Sequence, residues 1–455
     1  MKALNKKLFR DIWRNKSQFV SIFIMTFLGI LCFAGIHSYM DGMQVSGDEY
    51  YENYNLQDLI ISGENFDRDD LSEVKNISNI KDAERQLNIT TTLDGYDDIT
   101  LETIFLESNN ISKFYIVEGE EFAKDKSGVW LDSYLAKSLK LNVGDEINIS
   151  YKTYKLKEKI LGLINSPDHV YSIKDDTAIF PTHTDFGYVY MSINEFPVEY
   201  TTFTSIIVDA QDTEKLQETK QELENKISSA IAVTTREDLL SYECYQDEIN
   251  EGKTYSTVFT ALFLFIAILS VVTTMYRFVR KQRTQIGTMK ALGIKKRKIM
   301  AHYVSFGFWI SLISAFAGLI VGEFTIGNFF MNMEMTYYEV PAYHTKIIPM
   351  VYILAAITVL VITIITYLSC RKVLKEKAAD AIRVEVPKVK KSKFDLTTKG
   401  IFKGASISTK WNLRDIARNK GRAIMGAVRN HRMYNDFSLC IWYARHNEFL
   451  HRLGI

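Results

Sequence analysis

The segment "IIPMVYILAAITVLVITIITYLSC", residues 347–370, contains no charged side chain. A helix rises about 1.5 Å per residue, so it needs about 20 residues to cross the roughly 30 Å hydrocarbon core of a bilayer. Buried helices of soluble proteins rarely stay free of charge over such a length. The segment is therefore predicted to span a membrane, and this prediction decides the fold class.

Three further segments have the same character, residues 19–36 ("FVSIFIMTFLGILCFAGI"), 258–276 and 304–322. The first is too long for a cleaved signal peptide and ends in Tyr39 and Met40, without a small-x-small cleavage pattern. We therefore predict a multi-pass α-helical membrane protein with four transmembrane helices and a large α+β extracytoplasmic domain between spans 1 and 2. The alternative is that the four segments are core helices of a soluble protein.

Charge placement predicts the orientation of the spans. Residues 40–255 carry 43 acidic and 19 basic side chains, whereas residues 277–300 carry nine basic and no acidic ones. Basic loops remain in the cytoplasm. The N-terminus is predicted to be cytoplasmic as well, because six basic residues precede the first span: Lys2, Lys6, Lys7, Arg10, Arg14 and Lys16.

These observations predict a division of the chain into ten parts. In chain order they are a cytoplasmic basic pre-helix (1–17), span 1 (18–40), the extracytoplasmic domain or "loop domain" (41–255), span 2 (256–276), a cytoplasmic "basic loop" (277–303), span 3 (304–326), an external loop (327–346), span 4 (347–370), a cytoplasmic linker with the start of a second repeat (371–428) and an aberrant tail (429–455).

The loop domain is predicted to mix strands and helices. Alternating β-branched and aromatic residues indicate strands at 58–62, 99–107, 145–151, 188–193 and 204–210. Apolar residues at helical spacing indicate helices at 132–141 and 212–227. Helical extensions at 41–54 and 235–257 are expected to join the domain to its two spans.

Catalytic chemistry is not indicated. No GxSxG, HExxH or P-loop pattern occurs, so ATP would have to be bound by another subunit. His169 and His183 are too few and Cys244 is too isolated to predict a metal site. The four scattered cysteines, of which three lie outside the loop domain, do not predict a disulfide framework. We therefore expect no enzyme activity, no metal and no cofactor in this chain.

The basic loop contains "RKQRTQIGTMKALGIKKRKI", residues 280–299. This pattern predicts a short basic amphipathic helix with Ile286, Met289 and Leu292–Gly293 on one side. Such a helix is able to lie along anionic lipid head groups without any protein partner.

The phrase "TQIGTMKALG" resembles a signature of the FtsX-like/MacB-like permeases of ABC transporters, in which a Glu usually stands where this chain has Gln285. The layout of residues 1–383, "VWLDSYLAKSLKLNVGDEINIS" (129–150) and "EKAADAIR" (376–383) resemble the family too. The resemblance implies a loop that docks on a partner ATPase. The implied docking residues are Gln285, Ile286, Gly287, Met289, Lys290, Ala291, Leu292 and Gly293.

The resemblance further implies the permease subunit of a bacterial ABC transporter in the cell membrane. Its partners would be a cytoplasmic ABC ATPase, membrane lipids and a second permease half or a homodimer partner, without nucleic acid. The substrates would be lipids, lipoproteins or peptides. Alternatives are a regulator or sensor that controls a cell-wall hydrolase or an antimicrobial-peptide response, and an ATP-independent membrane scaffold.

Small residues recur at four-residue spacing in span 3, at Ser314, Gly318 and Gly322. Such a stripe lets helices approach closely, either within the chain or against a second permease half. Glu323, at the outer end of the same span, is interpreted as an interface carboxylate in preference to a transport site.

The pre-helix phrase "RDIWRNK" returns near the end of the chain as "RDIARNK". Its charged residues are Arg10, Asp11, Arg14 and Lys16 in the first copy and Arg414, Asp415, Arg418 and Lys420 in the second. Family members often fuse two four-span units, so the second copy resembles the start of another unit. The polar residues 429–455 stand where a fifth span is expected. We interpret them as the product of a frameshift, and the alternative is a genuine cytoplasmic tail.

Overall fold

The computed structural model describes residues 7, 10–96, 99–174, 178, 180–196, 202–375, 377–378, 406 and 408. The chain divides into two units, Met1–Ile382 and Arg383–Ile455, and every element given below belongs to the first. The second pre-helix copy at 414–420 and the tail at 429–455 lie outside the described residues, as does most of the phrase at 376–383.

Residues 10–14 of the pre-helix are helical, and nine further α-helices occur in the described part of the chain. They are α1 (Lys16–Asn53), α2 (Arg68–Lys75), α3 (Ser133–Leu139), α4 (Leu216–Lys226), α5 (Leu240–Lys281), α6 (Arg283–Ala291), α7 (Lys296–Val321), α8 (Asn328–Glu334) and α9 (Pro349–Leu374). A π-helical turn, Gly322–Gly327, joins α7 to α8. The helices α1, α5, α7–α8 and α9 are long and apolar enough to cross a membrane, and the predicted four spans are confirmed.

Two of these helices are much longer than a bilayer requires. α1 has 38 residues and α5 has 42. At 1.5 Å per residue they reach about 57 and about 63 Å, roughly twice the hydrocarbon thickness. The predicted helical extensions are therefore present, since α1 continues to Asn53 and α5 begins at Leu240. The span limits within the helices stay predictions.

The loop domain contains one ten-stranded sheet. Its strands are β1 (Leu59–Phe66), β2 (Ile80–Leu93), β3 (Thr100–Leu106), β4 (Tyr115–Gly119), β5 (Val129–Asp132), β6 (Glu146–Tyr151), β7 (Tyr154–Asn165), β8 (Phe186–Ser192), β9 (Phe203–Ala210) and β10 (Ala230–Thr235). The order is β10-β1-β9-β2-β3-β8-β5-β7-β4, and β6 pairs with β2 and β7. All pairs are antiparallel except β3–β8 and β5–β7.

The short helices pack on this sheet and complete the predicted α+β fold class, which is confirmed. Val74 of α2, Leu135 of α3 and Leu223 of α4 are fully buried in one cluster with the strand residues Leu59 and Val208. A second, mostly aromatic cluster contains Trp130 and Tyr188.

All five strands predicted in the loop domain are present within a few residues of their expected limits. The predicted helix at 132–141 is α3, and that at 212–227 is a 3-10 turn followed by α4. The strands β2, β4, β5, β7 and β10 were not predicted. In β2, charged side chains in the first half of the strand conceal the pattern. Two of these charged side chains have partners on neighbouring segments: Arg85 pairs with Glu107 at 2.8 Å, and Glu84 accepts a hydrogen bond from Asn110 at 2.8 Å.

Three phenylalanines join the first three spans near the basic loop. Phe19 of α1 contacts Phe278 of α5 with 5.2 Å between ring centroids and Phe306 of α7 with 5.4 Å. Phe278 and Phe306 are 5.1 Å apart. All three rings are buried, so this end of the helix bundle is closely packed, and the basic loop folds against it.

Candidate functional site

The predicted amphipathic helix of the basic loop is α6, and its end explains the "ALG" phrase. Gly293 has a φ of +80°, a conformation that favours glycine. The Gly293 N–H donates to Lys290 O at 3.0 Å, and the Ile294 N–H donates to Met289 O at 3.1 Å. These two bonds form a Schellman motif, in which the chain reverses directly after the helix. The glycine therefore fixes where α6 stops.

The inward face of α6 is anchored to the spans. Ile286 is 1% exposed and belongs to the cluster around Phe278 and Tyr303. Met289 is partly buried and packs against the same cluster. The Lys290 Nζ donates to the backbone oxygen of Leu374, at the end of α9, at 2.9 Å. α6 is thus packed against spans 2 and 3 and hydrogen-bonded to the end of α9.

The outward face of α6 is presented to solvent. Gln285, Thr288 and Leu292 are exposed, and Leu292 is 75% exposed. The expectation that Leu292 lies on the same side as Ile286 and Met289 is wrong. At about 100° per residue, Leu292 stands about 120° around the helix from Ile286. A leucine held on a rigid turn in solvent is a candidate contact for another protein.

The implied docking residues therefore divide into two groups. Ile286, Gly287, Met289 and Lys290 lie inward or at the margin, and Gln285, Ala291, Leu292 and Gly293 are exposed. The first group is placed to hold the helix, and the second is placed to meet a partner.

The pre-helix is hydrogen-bonded to Gln282, which lies between α5 and α6. Its Oε1 accepts hydrogen bonds from Lys7 and from the Tyr303 hydroxyl, each at 2.8 Å, and its Nε2 donates to Asp11 Oδ2 at 3.2 Å. Asp11 is 7% exposed and pairs with Lys7 at 2.7 Å. Asp11 is thus the repeated pre-helix residue that contacts the basic loop.

Ile12 packs against the same cluster as Ile286, whereas the other charged residues of the repeated phrase do not join this contact. Arg10, Arg14 and Lys16 are exposed. Asn15 donates from its Nδ2 to Asp11 O at 2.9 Å and separates the pre-helix turn from α1. The second copy, Arg414, Asp415, Arg418 and Lys420, lies outside the described residues.

The small-residue stripe of span 3 faces span 1. A Cβ atom added at Gly318 would lie 2.9 Å from Ile30 Cβ, and one added at Gly322 would lie 2.9 Å from Leu31 O. Ser314 is fully buried and bonds back to Ile310 O at 2.6 Å. Of the two alternatives for this stripe, the structure has the contact within the chain.

At the other end of α1 and α5, the loop domain joins both helices. β1 follows α1, β10 precedes α5, and the two strands pair with Leu59 opposite Thr235. The Arg236 side chain donates to Asp58 Oδ1, and the Arg236 N–H donates to Asp58 O at 2.9 Å. The Tyr245 hydroxyl of α5 donates to Met43 O of α1 at 2.6 Å. Basic loop, spans and sheet therefore form one connected frame.

Two family models match this frame. The model described as FtsX-like permease C-terminal matches residues 257–377, which include the end of α5, α6 and the last two spans. The model described as MacB-like periplasmic core domain matches residues 23–226. The chain belongs to the FtsX-like/MacB-like permeases. It is a membrane component of the ABC-transporter type, and membership implies an ABC ATPase as partner in general.

Two solved structures similar to this chain are an extracellular domain and a periplasmic region of other proteins. The extracellular domain of the noncanonic ABC-type transporter YknZ from Gram-positive bacteria matches with 14% identity and a TM-score of 0.27, covering 40% of this chain and 99% of that chain. The periplasmic region of MacB from Actinobacillus actinomycetemcomitans matches with 11% identity and a TM-score of 0.29, covering 44% and 96%. No curated protein matches.

The sequence analysis missed one cluster in the permease. Of its three members only His183 was considered, and no metal site was expected. One ligand atom each from Asp132, His183 and Glu339 lies within 4.8 Å of the other two. Burial raises the pKa of Asp132 to about 7. Burial and the charge of Asp132 raise the pKa of Glu339 well above its usual range. No sequence signal brings these residues together, because they lie far apart in the chain.

Glu339 also changes the interpretation of the external loop. Its N–H donates to Val170 O at 2.8 Å, and its Oε2 accepts from the Tyr188 hydroxyl at 2.6 Å. The neighbouring Tyr338 is 5% exposed and packs against Tyr171 and Tyr245. The segment between α8 and α9 is thus docked into the loop domain of the permease.

Proposed function

We propose that this permease couples ATP hydrolysis by a separate ATPase to work performed by its loop domain on a lipid, lipoprotein or peptide. The observation that carries the proposal is α6, a rigid helix whose inward face is fixed to three spans while Leu292 is exposed at its tip. Such a helix transfers force from a bound protein to the spans, because it has no flexible connection in which the movement is lost.

Force applied to α6 has a direct path to the loop domain. α6 is separated from α5 by Gln282 alone, and α5 continues as one helix to Leu240. Gln282 is hydrogen-bonded to Asp11, so the start of α1 follows the same movement. The pair β1–β10 then receives both helices. ATP-driven closure of the partner would thus reach the sheet as mechanical work, through a rigid-body change of the helix pair.

The same proposal places the N-terminus and α6 in the cytoplasm and the loop domain outside the cell. It is supported by the basic side chains flanking α6, including Lys295, Lys296, Arg297 and Lys298, and by the acidic excess of residues 40–255. Thr288→Cys and Val117→Cys, both at exposed positions and made in a background without the native cysteines, test the orientation in sealed cells. A membrane-impermeant maleimide is expected to label only Val117→Cys, and labelling only at Thr288→Cys would reverse the orientation.

The coupling step is tested by site-specific photo-crosslinking in membranes. A benzophenone amino acid at position 292 is expected to capture a protein that contains a P-loop and hydrolyses ATP, identified by mass spectrometry. The matched control is the same label at Val117, which is also an exposed apolar residue but lies in the loop domain.

Capture of the ATPase at position 117 and not at 292 would refute α6 as the docking element. Absence of any ATPase from both positions, in membranes where the ATPase is present, would favour the ATP-independent scaffold. Capture at 292 by a protein that transports no substrate but retains a signalling output would favour the regulator or sensor.

A further inference from the structure

Three ionisable side chains from separate parts of the chain converge between the loop domain and the spans. Asp132 ends β5 and caps α3, His183 precedes β8, and Glu339 lies between α8 and α9. Their ligand atoms lie within 4.8 Å of one another, and His183 Nδ1 is 3.5 Å from Glu339 Oε1.

Four polar atoms of this cluster are buried without a hydrogen bond of normal geometry among the described residues: Asp132 Oδ2, Glu339 Oε1 and both ring nitrogens of His183. Asp132 and Glu339 are both 0% exposed. The His183 ring also faces the backbone of Thr336, which satisfies at most one of its two nitrogens. Neither carboxyl group pairs with a lysine or an arginine in the described part of the chain. Buried carboxylates without a partner are costly, so such an arrangement calls for a cation or for bound protons.

The remaining atoms of the same side chains are held in place. Asp132 Oδ1 accepts from the Tyr134 N–H at 2.8 Å, which directs Oδ2 toward the cluster. The Tyr188 hydroxyl bonds to Glu339 Oε2 at 2.6 Å and leaves Oε1 free to face His183. The ring of Tyr134 packs against His183 in a tilted arrangement with 4.9 Å between centroids. Carboxylates that bind metal ions typically accept hydrogen bonds that fix one oxygen and leave the other oxygen available.

We propose that Asp132, His183 and Glu339 bind a divalent transition-metal ion, with Zn²⁺ as the preferred ion. Two ligands at about 2.1 Å from a tetrahedral zinc are about 3.4 Å apart, close to the spacing of His183 and Glu339. An imidazole with two carboxylates favours zinc or a related transition metal, because Ca²⁺ and Mg²⁺ prefer oxygen ligands alone. Water completes the coordination.

The ion would connect two parts of the molecule. Asp132 and His183 belong to the loop domain, whereas Glu339 belongs to the segment that leads from span 3 to span 4. The metal would thus add coordination bonds to the hydrogen bonds that already join Glu339 to Asn165, Val170 and Tyr188. Metal binding would hold the loop domain against spans 3 and 4 and would restrict its movement relative to α1 and α5.

Metal content of the full chain tests the site. The permease is purified in detergent with a tag that contains no histidine, stripped with chelator, and titrated with Zn²⁺. Elemental analysis is expected to give about one equivalent of zinc per chain. Co²⁺ in the same site is expected to show the visible absorption of a tetrahedral complex, which zinc then abolishes.

The principal variant is His183→Asn. Position 183 has a φ of +49°, which asparagine tolerates better than most residues, so the fold is expected to survive. Its zinc affinity is expected to fall at least tenfold. His169→Asn is the matched control, because His169 is also a buried histidine of the loop domain that stacks on Tyr188, but it lies outside the cluster. It is expected to bind zinc normally.

Glu339→Gln is expected to abolish stoichiometric binding, and Tyr188→Phe, which removes only the supporting hydrogen bond, to weaken it about tenfold. The proposal is overturned if the wild-type chain binds neither Zn²⁺ nor Co²⁺, a result that would assign shared protons to the cluster. It is also overturned if folded His183→Asn, judged by circular dichroism and gel filtration, binds zinc as tightly as His169→Asn does. Since the readout is metal content, failure here leaves the proposed coupling function untouched.

Discussion

The carboxylate of Asp11 accepts a hydrogen bond from Gln282 Nε2 at 3.2 Å, across 271 residues of sequence. This bond connects the pre-helix to the residue that joins α5 to α6. Asp11 is the acidic member of the repeated phrase, and it is buried, whereas Arg10 beside it is exposed. In the first copy of the phrase, Asp11 thus holds the pre-helix on the basic loop, while its basic residues Arg10, Arg14 and Lys16 are exposed.

We predict that Asp11→Ala destabilises the contact between the pre-helix and α6. The substitution leaves Gln282 Nε2 and Lys7 without their shared acceptor, and such losses cost about 1–3 kcal/mol. Thermal unfolding of the detergent-solubilised chain measures the effect, and hydrogen exchange locates it in residues 282–291. Arg10→Ala is the control and is expected to unfold like the wild type. Equal unfolding temperatures for Asp11→Ala and the wild type would contradict the role of this contact.

We predict that Gly293→Ala impairs coupling more than its small cost in stability explains. A Cβ at Gly293 meets no atom within 4 Å, so the cost arises from its φ of +80° alone, about 1 kcal/mol. Gly95 is a matched control, because it also has a positive φ, +90°, and open space around it, but it lies in the loop domain.

Both glycine variants are expected to lose similar stability in thermal unfolding. Only Gly293→Ala is expected to reduce the amount of ATPase captured by the label at position 292. If Gly95→Ala reduced the capture equally, the effect would be one of general stability, and the turn at Gly293 would have no special part in docking.

We predict that Gly318→Val separates span 3 from span 1. The added atoms would meet Ile30 Cβ at 2.9 Å and Phe27 O at 3.0 Å, and the second of these is backbone that cannot move aside alone. Overpacking of this kind costs about 1–3 kcal/mol. The yield of monodisperse protein in gel filtration is the measurement. Ile313→Val, at an exposed position of the same helix, is expected to behave like the wild type.

We predict that Arg236→Ala loosens the base of the loop domain. Asp58 is 3% exposed. Its carboxylate loses the arginine as a hydrogen-bond donor and keeps the Ala210 N–H, which donates to Asp58 Oδ2 at 2.9 Å. Arg236 is itself 26% exposed in its side chain, so solvent screening limits the expected cost to about 1–3 kcal/mol. Hydrogen exchange in β1 and β10 measures it.

The double variant Asp58→Asn/Arg236→Ala is the control for this pair. Asparagine removes the uncompensated charge, so the double variant is expected to recover part of the stability that Arg236→Ala loses. Additive losses in a double-mutant cycle would show that the two side chains do not interact energetically.

Length and apolarity were sufficient to predict the four spans, because apolar segments as long as residues 347–370 and their three counterparts are rare in the helices of soluble proteins. The position of α6 followed from the "ALG" phrase, although its solvent face did not. An amphipathic pattern alone does not show which side of a helix packs against the rest of the protein. In the structure Ile286 is buried, and Leu292, directly before the turn at Gly293, is exposed.

The cluster of Asp132, His183 and Glu339 was beyond sequence reasoning. Each residue is unremarkable in its own segment of the sequence. The missed strand β2 has a different cause, since Arg85 and Glu84 hide the apolar alternation and are satisfied only by residues that fold beside them.

The pairing of β1 with β10 limits how the two long helices move. A piston-like slide of α5 past α1 would shift the register between Leu59 and Thr235. A slip of one residue would turn the buried side chains of these strands toward the opposite face of the sheet, which their apolar contacts oppose. Shear between the helices is therefore blocked at the sheet, and the Tyr245 bond to Met43 O blocks it again nearer the membrane. The motion left open to the proposed coupling is a joint tilt of α1 and α5, whose length of about 60 Å would convert a small displacement at α6 into a larger displacement of the loop domain.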